Sequence, residues 1–272
     1  MKRLPLSLVL GGLITGALVA AALISRFWTP HDPVGMDILN RLKAPGDVGL
    51  LGTDQIGRDV FSILMAGAWT SLGIAFAATL IGGTIGTLVG VTAAARGGWL
   101  ERLVMSVNGV LFAFPPILSA ILLGALMGPG AVTSITAIGL FMIPVFARVT
   151  RGAALQIWSR DYIQAARMAG KGQALITLEH VIPNISAQII VQLAIQTGLG
   201  ILTEAGLSFL GMGVSPPTPS WGRMLSEAQT FLSSAPHLVL APGCAIALAV
   251  LGLNLLGDGL RDLTDPKRGS GA

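Results

Sequence analysis

Residues 103–147, forty-five in a row, carry no charged side chain. A hydrocarbon core about 30 Å thick is crossed by about 20 apolar residues of helix. The run is therefore too long for one crossing and too greasy for a solvated domain. It must divide into two helices, and Gly128-Pro129-Gly130 supplies the turn. Pro115-Pro116 should kink the first of the two. Further uncharged runs lie at 4–25, 66–95, 181–203 and 238–257, giving six spans. Only 11% of the 272 residues are charged and 53% are hydrophobic, whereas a soluble domain is about 25% charged. The predicted fold class is all-α, a polytopic membrane bundle.

Met1-Lys2-Arg3 precedes the first run. That run exceeds the roughly 7–15 residues of a signal-peptide core, so a retained span is expected rather than a cleaved leader. Gly12 and Gly16 give it a packing face of small residues four apart. Gly82, Gly86 and Gly90 repeat the device in the second span. Asn108 and Asn254 read as buried interhelical amides.

Residues 26–65 hold Pro30, Pro33, Pro45 and five aspartates, and cannot span. Thr53 or Asp54 is placed to cap a short helix starting near Ile56. Asp54, Arg58 and Asp59 read as a solvated loop network. The stretch 215–225 is stiffened by Pro216, Pro217 and Pro219, and Trp221 suits an interfacial anchor. The last span is expected to break or kink near Pro242.

The longest polar interruption in the second half is 161–183. A short helix over 161–169 should stop at Gly170, and a second piece, 173–182, should end at Pro183. Its small surface (Ala165, Ala166, Ala169, Gly170) suits close approach by another protein, and equally an amphipathic helix lying on lipid headgroups. Gln188, Gln192 and Gln196 follow at steps of four and share an arc of about 80° on a helix. Amides in a bilayer need water or partners, which favours a translocation path. Glu204 is an ionisable group at the end of that run. It reads either as functional, for example in a proton-coupled carrier, or as a packing partner.

Twelve Lys and Arg fall on one side of the six-span layout and five on the other. The richer side holds both termini and the 161–183 segment, which places them in the cytoplasm. The net charge of +4 then reflects basic loops and gives no reason to expect nucleic acid. Gly170-Lys171-Gly172 lacks the spacing of a phosphate-cradling loop. His31, His180 and His237 show no metal-ligand spacing, and the lone Cys244 excludes a disulfide framework. Catalysis, bound cofactors and metal are not expected in this chain. No internal repeat supports an inverted-repeat carrier.

Several motifs converge on one family. Ala165-Ala166, Gly170 four residues after the pair and Pro183 thirteen further on resemble the "EAA" loop of ATP-binding-cassette importer permeases. Asp161-Tyr162-Ile163-Gln164 and His180-Val181-Ile182-Pro183-Asn184 look like the dipeptide/oligopeptide/nickel branch. So do Gly52-Thr53-Asp54, Leu207-Ser208-Phe209-Leu210-Gly211 and Gly257-Asp258-Gly259-Leu260-Arg261-Asp262 with Asp265-Pro266. The Gly-Thr-Asp stretch points to the "C"-type subunits. Gln164 departs from the Glu of the general loop pattern, and Met168-Ala169 and Lys171-Gly172-Gln173 from its small residues.

The resemblance implies the fold of the MetI-like importer permeases, with segment 1–65 ahead of a five-helix core at 66–272 and a coupling loop at about 151–183. It implies a multi-pass subunit of the cell (inner) membrane, paired with a second permease. Two cytoplasmic ATPases would bind the ATP, and an external solute-binding protein would deliver cargo. Coupling falls to Asp161, Gln164, Ala165, Ala166, Gly170 and Pro183. Peptides are the first cargo expected, and nickel or a nickel chelate the second.

Overall fold

The computed structural model describes residues 4–264, so Lys2, Arg3, Asp265-Pro266, Lys267 and Arg268 lie outside the described residues. The first helix, α1 (Leu6–Ile24), leads into a long irregular segment. Then come α2 (Val60–Arg96), α3 (Gly98–Ala113), α4 (Pro116–Met127) and α5 (Ala131–Trp158). The short α6 (Asp161–Met168) and α7 (Gln173–Ile176) precede α8 (Ile182–Phe209), α9 (Trp221–Ala228) and α10 (His237–Thr264). No strand occurs among the described residues, only an isolated bridge between Thr53 and Asp59. Five helices can cross a membrane alone: α1, α2, α5, the composite Gln173–Phe209 and α10. The pair α3 and α4 is long and apolar enough only when its two halves are taken together, and they meet at a bend of 87°, the geometry of a broken span or a re-entrant loop.

That bend is a break rather than the expected kink. Phe114 and Pro115 are both extended, with ψ of 127° and 126°. Proline at 115 pushes residue 114 out of the helical region, and proline at 116 does the same to 115.

The bundle is built on a glycine seam between α2 and α5. A Cβ at Gly82, Gly86 or Gly90 would run into the carbonyl oxygens of Gly139, Ile143 and Ala147 respectively. Both helices step by four, so the backbones touch along matching ridges and grooves. The expected groove in α2 is therefore occupied. In α1 the contact falls elsewhere: Gly11, not Gly12 or Gly16, lies against the backbone of Gly252 and Leu256 in α10. Gly16 faces open space. The expectation missed by one residue, about 100° around the helix, because 11, 12 and 16 are all glycine.

Three further expectations change. The helix does not end at Pro183. A π turn at Thr177–Val181 bonds the Ile182 amide to the Thr177 carbonyl, five residues back. That widened turn accommodates the proline ring, and the Asn184 side chain donates to the His180 carbonyl at 2.6 Å. The helix therefore runs on from Gln173 to Phe209. In α10 the chain passes through Pro242 without a break. There the proline removes one hydrogen bond near the helix start. Asn254 is exposed; Asn108 is buried as expected, but its Nδ2 has no hydrogen-bond partner among the described residues.

Most of residues 26–51 are exposed, but the stretch 52–59 is packed against the bundle rather than solvated. Asp54 and Asp59 are both buried. The Asp54 carboxylate accepts from the amides of Ile56 and Arg58 and from Arg58 Nε at 2.6 Å. Asp59, not Thr53 or Asp54, is the cap, and the helix it caps is α2 at Val60. Its Oδ2 accepts from the Ser62 amide at 2.9 Å. Gly57 has φ +82°, and a side chain there would strike the Asp37 carbonyl.

Candidate functional site

Three arrangements stand out. The first is a knob formed by α6 and α7. Ile163 on α6 is fully buried, while Asp161, Gln164 and Ala165 are exposed and Met168 is 91% exposed. Gly170 ends α6 with φ +83°. Its amide bonds to the Arg167 carbonyl and the Lys171 amide to that of Ala166, a left-handed helix stop. Nothing lies within 4 Å of where its Cβ would be. Its glycine requirement is thus set by backbone conformation within this chain. The knob is braced from both sides. The Arg167 guanidinium sits 4.9 Å from the Trp158 ring centre, Tyr162 meets His180 edge-on, and Lys171 pairs with Glu179. Pro183 lies behind the knob, in the first turn of α8.

The second is the glutamine strip. Gln188 is exposed, Gln192 half-buried and Gln196 8% exposed. Gln196 lies in the wall of an apolar cavity of about 240 Å³ between α3, α5 and α8, beside Phe112, Phe114 and Phe141. Its Oε1 has no hydrogen-bond partner.

The third is a hydroxyl cage around Glu204, which is fully buried. Ser208 donates to its Oε1 at 2.6 Å. The Ser71 and Ser220 hydroxyls face the same carboxyl group, whose Oε2 has no hydrogen bond of ordinary length. Ser71 Oγ accepts from the Trp221 amide at 3.1 Å, and the Trp221 indole donates to the Leu64 carbonyl at 2.9 Å. Trp221 is therefore a buried clamp, not an interfacial anchor. Gly222 lies flat on the Ala205 backbone. The cage ties α2, α8 and the start of α9 together, and Glu204 does not line the Gln196 cavity. Ser71 and Ser220 lie more than a hundred residues apart, and no sequence spacing links them to Glu204.

At the opposite end from the knob, α9 is locked to the 26–59 segment. Glu227 accepts from Arg223 Nε at 2.6 Å and from Arg58 Nη2 at 3.0 Å. Burial raises the Glu227 pKa, but the hydrogen bond and charge of Arg223, with Arg58 behind them, outweigh it and hold the carboxyl below its ordinary 4.5. A depressed folded pKa contributes stability that is full above the unfolded value and lost as pH falls through the folded one. Glu227→Gln is therefore expected to lower stability by about 1 kcal/mol at neutral pH. The gap to wild type should close as pH drops below 4.5. Thermal unfolding of the purified protein across that range checks it; a gap independent of pH refutes it.

Comparison with known proteins bears on the whole arrangement. The sequence profile of the family described as "Binding-protein-dependent transport system inner membrane component" matches residues 82–270. The glutathione transport system permease protein GsiD of Pectobacterium atrosepticum is 41% identical over 260 residues, covering 95% of this chain and 86% of the relative. GsiD of Escherichia coli O6:K15:H31 is 43% identical over 251 residues, covering 92% and 83%. Among solved structures, a chain from inward-facing conformations of the MetNI methionine ABC transporter superposes with a TM-score of 0.64 at 19% identity. It covers 75% of this chain and 97% of that one, and it shows the shared permease fold. A bundle of five crossings and one bent pair, with an exposed two-helix knob at one end, thus has both its sequence and its fold accounted for: the chain belongs to the binding-protein-dependent transport inner membrane components, the permease subunits of ABC importers, in their dipeptide/oligopeptide branch.

Proposed function

We propose that this permease forms one half of a peptide-conducting path in the cytoplasmic membrane and is driven through the knob at 161–170. Both termini lie in the cytoplasm, with residues 1–65 an addition to a five-helix core at 66–272. A second permease completes the path, two ATPases seat on the knobs, and a solute-binding protein delivers cargo from outside. The observation that carries this reading is the knob itself: a small-surfaced, exposed helix with Ile163 buried, held stiffly by Arg167–Trp158 and Lys171–Glu179. A braced element transmits displacement as a rigid body, and an exposed Met168 beside alanines offers an apolar seat with close backbone approach. Gln188, Gln192 and Gln196 line the path. Glu204 holds helices together rather than carrying protons, in keeping with its sealed cage. The glutathione permeases among the relatives favour a peptide cargo over nickel.

The test uses the assembled complex in vesicles. Ala165→Trp or Met168→Asp is expected to cut ATP hydrolysis stimulated by loaded binding protein at least tenfold, with the complex still assembled. Normal stimulation in both variants refutes the docking role. Gly170 is a poor probe, because any side chain at φ +83° strains the turn regardless of a partner.

A further inference from the structure

A groove of about 370 Å³ opens between the end of α2 and the start of the composite helix Gln173–Phe209. Neither the coupling role nor the packing of the bundle uses it. The two walls run in opposite directions, with Gly200 against Ala75 and Thr79 and Gly83 against Leu193. Both walls nevertheless change character in the same sense. Along α2 the lining passes from Leu88 and Val91 through Thr92 to Arg96. Along the facing helix it passes from Ile182 and Leu178 through Thr177 to Gln173. The groove is therefore apolar on both sides at one end and polar on both sides at the other.

That gradient falls at a definite level. Leu88 belongs to the uncharged run 66–95, and Arg96 is the first charge after it. Trp99, three residues on, is 73% exposed, and indoles concentrate where hydrocarbon meets headgroups. Leu88 and Arg96 are eight residues apart, about 12 Å along a helix. Half of a hydrocarbon core is about 15 Å, so the groove covers most of one leaflet. Leu88 is 58% and Leu178 64% exposed, which leaves the apolar end open from outside the bundle. Arg96 is exposed and forms no ion pair or ring contact among the described residues, whereas Arg151 is held by Glu101 and Lys171 by Glu179. An unpaired guanidinium keeps its fork of donors for a phosphate.

We infer that this groove binds one anionic phospholipid of the leaflet on the knob's side. The phosphate meets Arg96, and Thr92, Thr177 and Gln173 offer hydrogen bonds to the glycerol esters. The upper part of an acyl chain lies along Leu88 and Val91 on one wall and Leu178 and Ile182 on the other. Basic pockets between membrane helices on the cytoplasmic side select anionic headgroups. A soluble anion would leave the apolar end empty, so the order of the lining favours a lipid. Bound there, the lipid ties α2 to α7, the second helix of the knob. The inference goes beyond the proposed function and takes from it only the cytoplasmic placement of the knob.

The test uses the assembled complex, with both permeases and the ATPases, in phosphatidylcholine vesicles. A small share of phosphatidylglycerol carries a photoactivatable diazirine on one acyl chain. After illumination, mass spectrometry measures cross-linking to peptides covering 88–96 and 173–182. Phosphatidylglycerol is expected to label them at least fivefold more than phosphatidylcholine bearing the same diazirine. Arg96→Gln is expected to remove that preference and Arg96→Lys to keep most of it. Arg102→Gln, which alters an exposed cation outside the groove, should leave it unchanged. Equal labelling by the two lipids, or equal losses in Arg96→Gln and Arg102→Gln, reduces the site to diffuse surface charge and overturns it. Displacement by soluble glycerol phosphate assigns Arg96 to a free phosphate and overturns it too. If these peptides stay unlabelled while loaded binding protein still stimulates ATP hydrolysis, another subunit covers the groove; the lipid site falls and the proposed function stands. If stimulation is absent from the wild-type complex, the proposed function falls, and the labelling ratio still decides the lipid site.

Discussion

Gly86→Ile is expected to leave no assembled permease in the membrane, and Gly86→Ala to reduce its stability by about 2 kcal/mol. A Cβ at Gly86 meets the Ile143 carbonyl and the Phe146 Cβ, and neither is the far end of a flexible chain. Phe146 is itself fully buried, so it cannot retreat. Overpacking of a filled interior costs about 1–3 kcal/mol for small insertions and more for large ones. The seam repeats at Gly82 and Gly90, so displacement at one position is resisted by the other two. Gly16, which faces open space, is the control: Gly16→Ile should change stability by less than about 0.5 kcal/mol. Membrane abundance and detergent-resistant unfolding of the three variants decide the matter. Equal behaviour at 86 and 16 would sink the seam.

The second large effect is at Glu204. Glu204→Ala removes the only carboxyl group in the cage, leaves the Ser71, Ser208 and Ser220 hydroxyls without it, and opens a void. Loss of a buried hydrogen-bonding group and of packed volume together costs about 3–5 kcal/mol. Glu204→Gln retains an acceptor oxygen for Ser208 and nearly the same volume, so a loss below about 1.5 kcal/mol is expected. A path residue would give the opposite pattern, with transport lost in both variants and stability in neither. Unfolding and uptake measured on the same two preparations distinguish a helix-packing role from a transport role.

The sequence was most informative where the hydrocarbon core imposes its own length scale. The crossings, the turn at Gly128-Pro129-Gly130, the glycine repeat in α2 and the short helix stopped at Gly170 follow from residue type and spacing alone. Legibility failed where a proline or a charge had a distant partner. Pro183 reads as a stop, because local sterics forbid the regular helix; the π turn and the Asn184 side chain that accommodate it are choices made by the fold. Arg58 reads as solvated because its partner Glu227 lies on α9, about 170 residues away, and Asp59 because its burial follows from its place at the start of α2 beside Ser62. Trp221 reads as an interface residue by frequency, and is instead seated over Gly67 with its amide on Ser71. The knob was visible as a pattern, while the glycine requirement at 170 proved to be conformational.

The composite helix Gln173–Phe209 has 37 residues, roughly 55 Å at 1.5 Å each. That is well beyond the roughly 30 Å of a bilayer interior, so the helix is longer than one perpendicular crossing requires. Near its start Leu175 is 45% and Leu178 64% exposed. The chain alone thus exposes a greasy stem at this end of the helix. Exposed apolar surface of this kind is what cellular quality control removes, so the abundance of the subunit depends on how much of the stem stays uncovered.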